Sequence, residues 1–240
     1  MNRRWLGWVT ALLVATGSTL VFAAPTRVDR VVYVFESPET GGASAPLSVF
    51  ERELALEARI EAMSVGEPLA DSRGAYAERF VRSALDRHVA TELLASLPVE
   101  RSKTLTRHPC DGPATEADEA DLQRRMKLAR ALLVARIKGA DRLEAAAEAE
   151  NVGEEEIAKL VRREALASRY LDMMVAPMLA PSDGELREIL HGSPTPFRGR
   201  SFDDVRCDLR RWVLTQRIGA ALSAFLQSAR TRVRGRWTAR

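Results

Sequence analysis

Only two cysteines and three histidines occur in this chain of 240 residues, and their placement excludes a good deal of chemistry. His88, His108 and His191 stand far apart, with no metal-ligand spacing around any of them. His108 and Cys110 share one loop, but no second pair answers them, so a zinc site is not expected. No G-x-S-x-G motif occurs, and no glycine-rich turn joins a strand to a helix, so neither a nucleophile elbow nor a phosphate cradle is present. Acidic groups such as Asp203-Asp204 and Glu154-Glu155-Glu156 sit at helix starts, where they complement the helix dipole without any catalytic role. Internal repeats and low-complexity blocks are missing as well. No catalytic residue, metal or cofactor is expected, and the chain reads first as a binding or scaffolding module.

Long apolar runs are absent except at the start. Arg3 and Arg4 precede an apolar stretch from Trp5 to Val21, interrupted by Thr16-Gly17-Ser18-Thr19. Val21-Phe22-Ala23 then offers the small or short residues that a signal peptidase reads. Residues 1–23 are expected to be a cleavable signal peptide, with the mature chain starting near Ala24. The alternative is a retained anchor, for which the run is near the lower length limit and weakened by its polar cluster. No cysteine stands at the cleavage point to be lipidated, and one arginine pair is too little for a twin-arginine signal. Export would bring Cys110 and Cys207 into an oxidising compartment, where they can pair. Sequence does not show whether their Cα atoms come within reach, and two independent thiols are the alternative.

The formal charge of +3 conceals an asymmetry: Arg198 to Arg240 carries eleven arginines against three aspartates. Such an end suits nucleic acid or an anionic membrane. Export argues against nucleic acid, which leaves a solvated basic helix face or a weak contact with anionic lipid.

The mature chain, about 217 residues, can bury a core as one domain spanning 24–240. The run Val31-Val32-Tyr33-Val34-Phe35 reads as a short buried strand. Leu47-Ser48-Val49-Phe50 reads as a second strand or a helix entry, with Ser48 and Glu51 fitting a capping box. Helical spacing follows over 49–63, 76–97, 116–137, 141–150, 154–179 and a short stretch after Ser182. Leu122, Met126, Ala129, Leu133 and Ile137 form the inward stripe of the third of these. Ser201 can cap a long last helix to about Arg230, and Thr231 to Trp237 alternates like a half-buried strand. One strand at each end has no ladder alone, so the two are expected to pair. The predicted fold is mainly α: a multi-helix body with a small β-sheet formed by N-terminal and C-terminal strands.

Three stretches together resemble a family. Val28-Asp29-Arg30-Val31-Val32-Tyr33-Val34, leading into Leu47-Ser48-Val49-Phe50-Glu51-Arg52-Glu53-Leu54, is similar to the opening of SurA-type periplasmic chaperones. Leu160 to Glu164, Tyr170-Leu171, Val175 and Pro181-Ser182-Asp183-Gly184-Glu185-Leu186 resemble the family's "V-S-D-E-E-L" passage. Phe197 to Arg206, with Arg217 and Phe225-Leu226, resembles the start of its C-terminal helix. The resemblance implies an ATP-independent holdase binding unfolded outer-membrane or secreted proteins in the periplasm of a Gram-negative bacterium. Most relatives insert one or two parvulin-type prolyl isomerase domains before the C-terminal helix. Only His191 to Arg200 occupy that place here, against roughly 90 residues for such a domain. Isomerase activity is therefore not expected. An accessory isomerase without its own catalytic unit and a dedicated envelope-assembly partner are the alternatives. Residues placed by type and position in an apolar client groove are Phe50, Leu54, Met63, Met173, Met174 and Met178, with ordinary core packing as the alternative for each.

Overall fold

In the computed structural model, described for residues 29–36, 46–70, 76–99, 109 and 110, and 118–238, the two chain ends meet in one antiparallel sheet. The expected signal peptide lies outside the described residues. Strand β1 (Val31–Glu36) pairs with β2 (Leu47–Phe50) on one side and with β3 (Arg234–Trp237) on the other, in the order β2-β1-β3. Val31 faces Phe50 but Tyr33 faces Val49, so Val32 is one extra residue in the β1 ladder. That bulge resets the inside–outside alternation, which lets Val32 and Phe35 both reach the core although they are three apart. Tyr33 packs edge-on to Trp237 with ring centroids 5.3 Å apart. Its ring lies over Gly235, where no Cβ would fit. β3 corrects one expectation, since all four of its residues are exposed rather than half-buried. It is an edge strand, and only Val233 just before it packs against the core.

Helix α1 (Glu51–Val65) carries apolar residues on two faces and is buried between two layers. Leu54, Ala58 and Ala62 join Phe35, Val49 and residues of α2 (Glu78–Ser96), including Phe80, Ala84 and Leu93. Leu56 and Ile60 point the other way, toward α3 (Asp118–Ile137), α4 (Ala140–Ala149) and α5 (Glu154–Tyr170). The Ser48–Glu51 capping box does not form, because Ser48 is held in β2 opposite Val34. Asp29 caps α1 instead: its carboxylate accepts from the Arg52 backbone N–H at 3.2 Å. Gly66, in the left-handed conformation at φ 74°, closes the other end.

The helix expected over 154–179 is interrupted. Leu171–Val175 form a π-helical turn before the short α6 (Ala176–Leu179). Pro177 has no N–H to give the carbonyl of Met173, so the α ladder cannot run through this point. Ser182 caps α7 (Asp183–Gly192), accepting from the Glu185 N–H at 3.2 Å. The last helix, α8 (Phe202–Arg232), serves two regions. Its first half forms a separate cluster with α7 through Leu186, Leu190, Val205, Leu209 and Val213, and Phe225 in its second half returns to the main core.

Three arginines of α8 work inside the molecule rather than on a solvated face. Arg206 pairs with Asp183 at 2.9 Å, and Arg210 donates to the Pro181 carbonyl at 2.8 Å. Arg217 donates to the Leu179 carbonyl at 3.0 Å and pairs with Glu185. Cys110 and Cys207 form a disulfide with Cα atoms 5.2 Å apart, tying the segment between α2 and α3 to α8. Among the described residues no helix is long and apolar enough to cross a membrane.

Candidate functional site

Helix α5 presents two kinds of ionisable side chain. Arg163 enters a buried seam between α1, α2 and α5. Its guanidinium donates to Glu53 at 2.6 Å and to Glu57 at 2.5 Å. His88 Nδ1 lies 2.9 Å from Glu57. Burial pushes the Glu57 carboxyl up, but His88 and Arg163 outweigh it and hold it below the ordinary glutamate value. Burial likewise disfavours the charge on Arg163, and Glu57 with Glu53 more than restores it. Glu53, Glu57 and His88 bring their ligand atoms within 4.8 Å of one another, as a metal site would. The chain's own guanidinium already supplies the positive charge there, so this donor set serves packing.

One turn of contacts away, α3 and α5 leave a cleft of about 200 Å³. Its walls are Ile60, Ala129, Leu133, Leu160 and Val161, and its lip is formed by Leu128 and Leu132. These two leucines are 58% and 62% exposed, side by side on α3 at i and i+4. Most charges around the cleft are matched: Glu61 holds Arg87 at 3.2 Å and Arg136 at 2.6 Å, while Arg125 is held by Asp121 and Asp172. Glu164, which also lines the cleft, differs. Burial raises its carboxyl above the ordinary value, and the nearby Arg87 only partly offsets this.

A second cavity of about 470 Å³ lies where the sheet meets α1 and α4, walled by Val32, Leu54, Tyr76, Val81 and Trp237. Its three acids are all held: Glu150 by the Tyr76 hydroxyl at 2.7 Å and by Arg59 at 2.6 Å, Asp29 by Arg52 at 3.3 Å and Glu51 by Arg30 at 3.0 Å.

The six groove residues expected from sequence do not form one surface, and none lines the α3–α5 cleft. Leu54 is core, only 4% exposed, and touches the second cavity. Met63 packs against the α3–α5 core. Phe50 is 40% exposed at the end of β2. Met173 and Met174 are half-buried in the π turn, and Met178 is 77% exposed in α6. The signal that sequence reading passed over is the Leu128–Leu132 pair. It falls outside the stripe of Leu122, Met126, Ala129, Leu133 and Ile137, so α3 is apolar on more faces than one core contact needs. Among known proteins, no protein-family model, curated protein or solved structure matches this chain.

Proposed function

We propose that the chain is an ATP-independent periplasmic holdase for unfolded outer-membrane or secreted proteins. The observation that carries this reading is the apolar cleft of α3 and α5, with Leu128 and Leu132 open to solvent on its lip. A singly exposed leucine needs no explanation, but two on one face above an apolar cleft form a patch that suits another polypeptide. Support comes also from the resemblance to SurA-type chaperones, whose chain ends pair around a helical body as β1 and β3 do here. Shallow apolar contacts are individually weak, which allows release without a nucleotide. The segment 193–201 between α7 and α8 has no room for an isomerase domain of roughly 90 residues. The exposed Arg198, Arg200, Arg211, Arg234 and Arg236 would attract acidic client segments or anionic headgroups.

The test is light scattering after dilution of a urea-denatured outer-membrane protein into buffer without ATP. The mature chain in several-fold excess should suppress aggregation, and no suppression would end the reading. In a proline-limited refolding assay no acceleration is expected. Capture of many unfolded proteins separates a holdase from an assembly factor, which would retain one folded partner.

A further inference from the structure

Strand β3 keeps a free edge. β1 lies on one side of it, and among the described residues no strand lies on the other. The Thr238 N–H donates to the Val32 carbonyl at 2.9 Å, which sets the phase of the ladder. With Arg236 opposite Val34 and Arg234 opposite Glu36, residues 234, 236 and 238 turn their backbone groups toward β1. Gly235 and Trp237 therefore turn theirs outward. A row of outward N–H and C=O groups is a template for one more strand.

The side chains narrow which strand. Alternation places Arg234 and Arg236 on the face of Val34 and Ser48, and Gly235 and Trp237 on the face of Tyr33 and Phe35. Both arginines are exposed, and among the described residues neither side chain makes an ion pair or a hydrogen bond. Glu36, the acid opposite Arg234, is exposed and forms no ion pair with it. On the other face Trp237 is 50% exposed and walls the second cavity. A second copy is a poor fit, because two antiparallel β3 strands would lay arginine beside arginine. A strand alternating acidic and apolar residues fits both faces. Its acids stand opposite Arg234 and Arg236, at the positions where cross-strand side chains come closest, and an apolar side chain covers the Trp237 indole.

We infer that β3 docks an extended polypeptide segment of that pattern by strand addition, a second contact besides the α3–α5 cleft. The inference rests on the holdase reading only in taking the segment from an unfolded client. Strands of outer-membrane barrels alternate polar and apolar residues with the same period of two.

The probes are two fluorescently labelled peptides, one alternating valine with glutamate and one alternating valine with lysine. By fluorescence anisotropy the mature chain should bind the glutamate peptide at least about tenfold more tightly, the scale of two exposed charge pairs made attractive rather than repulsive. Arg234→Glu combined with Arg236→Glu should reverse the preference. N-methylation of the glutamate peptide at its valines removes the N–H groups that face Gly235 and Trp237 and should weaken binding about tenfold. N-methylation at its glutamates, whose N–H groups point away from β3, should change it less than about twofold. That comparison uses the unaltered chain, so it stands even if the double variant fails to fold. Equal affinity for the two peptides overturns the inference, as does equal loss from the two methylations. A dimer that binds neither peptide overturns it and assigns the edge to a second copy. Binding to phosphatidylglycerol vesicles without a peptide preference overturns it and assigns the arginines to lipid. The expected preference and methylation pattern without protection of a denatured outer-membrane protein support the site and end the holdase reading. Protection without them overturns the site alone.

Discussion

Arg163 and Glu164 are consecutive residues of α5 with opposite charge, and they occupy opposite situations. Arg163 is enclosed by Glu53, Glu57 and, at 3.7 Å, Glu92, and it fastens three helices together. Glu164 lines the leucine cleft without a hydrogen bond or ion pair among the described residues, and Arg87, Arg163 and Arg136 act on it only from further off. Burial is similar in kind for both, so burial alone does not separate a charge that holds the fold from one that weakens it. The partner does. A seam closed by direct ion pairs holds the fold, whereas a carboxylate that burial raises above its ordinary value is a feature the fold would be more stable without.

The largest effect should come from breaking the seam. Arg163→Met leaves Glu53 and Glu57 without their cation and should cost about 3–5 kcal/mol, read by urea denaturation. A loss below about 1 kcal/mol would mean that His88 and solvent suffice, and the contrast would fail. Acid should separate the two regions next. Glu57, held below its ordinary value, contributes stability that is present above the unfolded glutamate value of about 4.3 and is lost as pH falls through its lowered pKa. Glu164 has the opposite sign. Its raised value means that deprotonation at neutral pH weakens the fold, and the penalty fades as pH falls through that value. Glu164→Gln should therefore stabilise the chain at neutral pH by about 0.5–1 kcal/mol, roughly 2 °C in melting temperature, and the gain should shrink toward mild acid. The smallest effect belongs to the lip: Leu132→Gln should change stability by less than about 0.5 kcal/mol, because the side chain is mostly in water and Gln suits a helix nearly as well as Leu.

Much of the fold was legible in the sequence because its signals are local. Val31 to Phe35 has strand character, and with the alternation near Arg234 it left each end in need of the other. Ser182 and Ser201 marked helix starts, and the structure uses both. What stayed hidden depends on partners distant in sequence. Ser48 lost its capping role to Asp29 because β2 claimed it. The arginines of α8 read as a solvated face until α7 supplied Asp183 and Glu185. The six groove residues were chosen by side-chain type, and type does not reveal whether a leucine such as Leu54 is enclosed by a sheet. Glu164 looks like any helix glutamate, and the burial that raises its carboxyl arises only when α5 packs against its neighbours.

The central claim is that clients are held at the α3–α5 cleft and not at the exposed methionine of α6. A photocrosslinking residue placed at position 132, and separately at position 178, in the mature chain mixed with a urea-denatured outer-membrane protein tests it most directly. Adducts are predicted from position 132 and none above background from position 178. Adducts from 178 alone, or from neither position, would contradict the account.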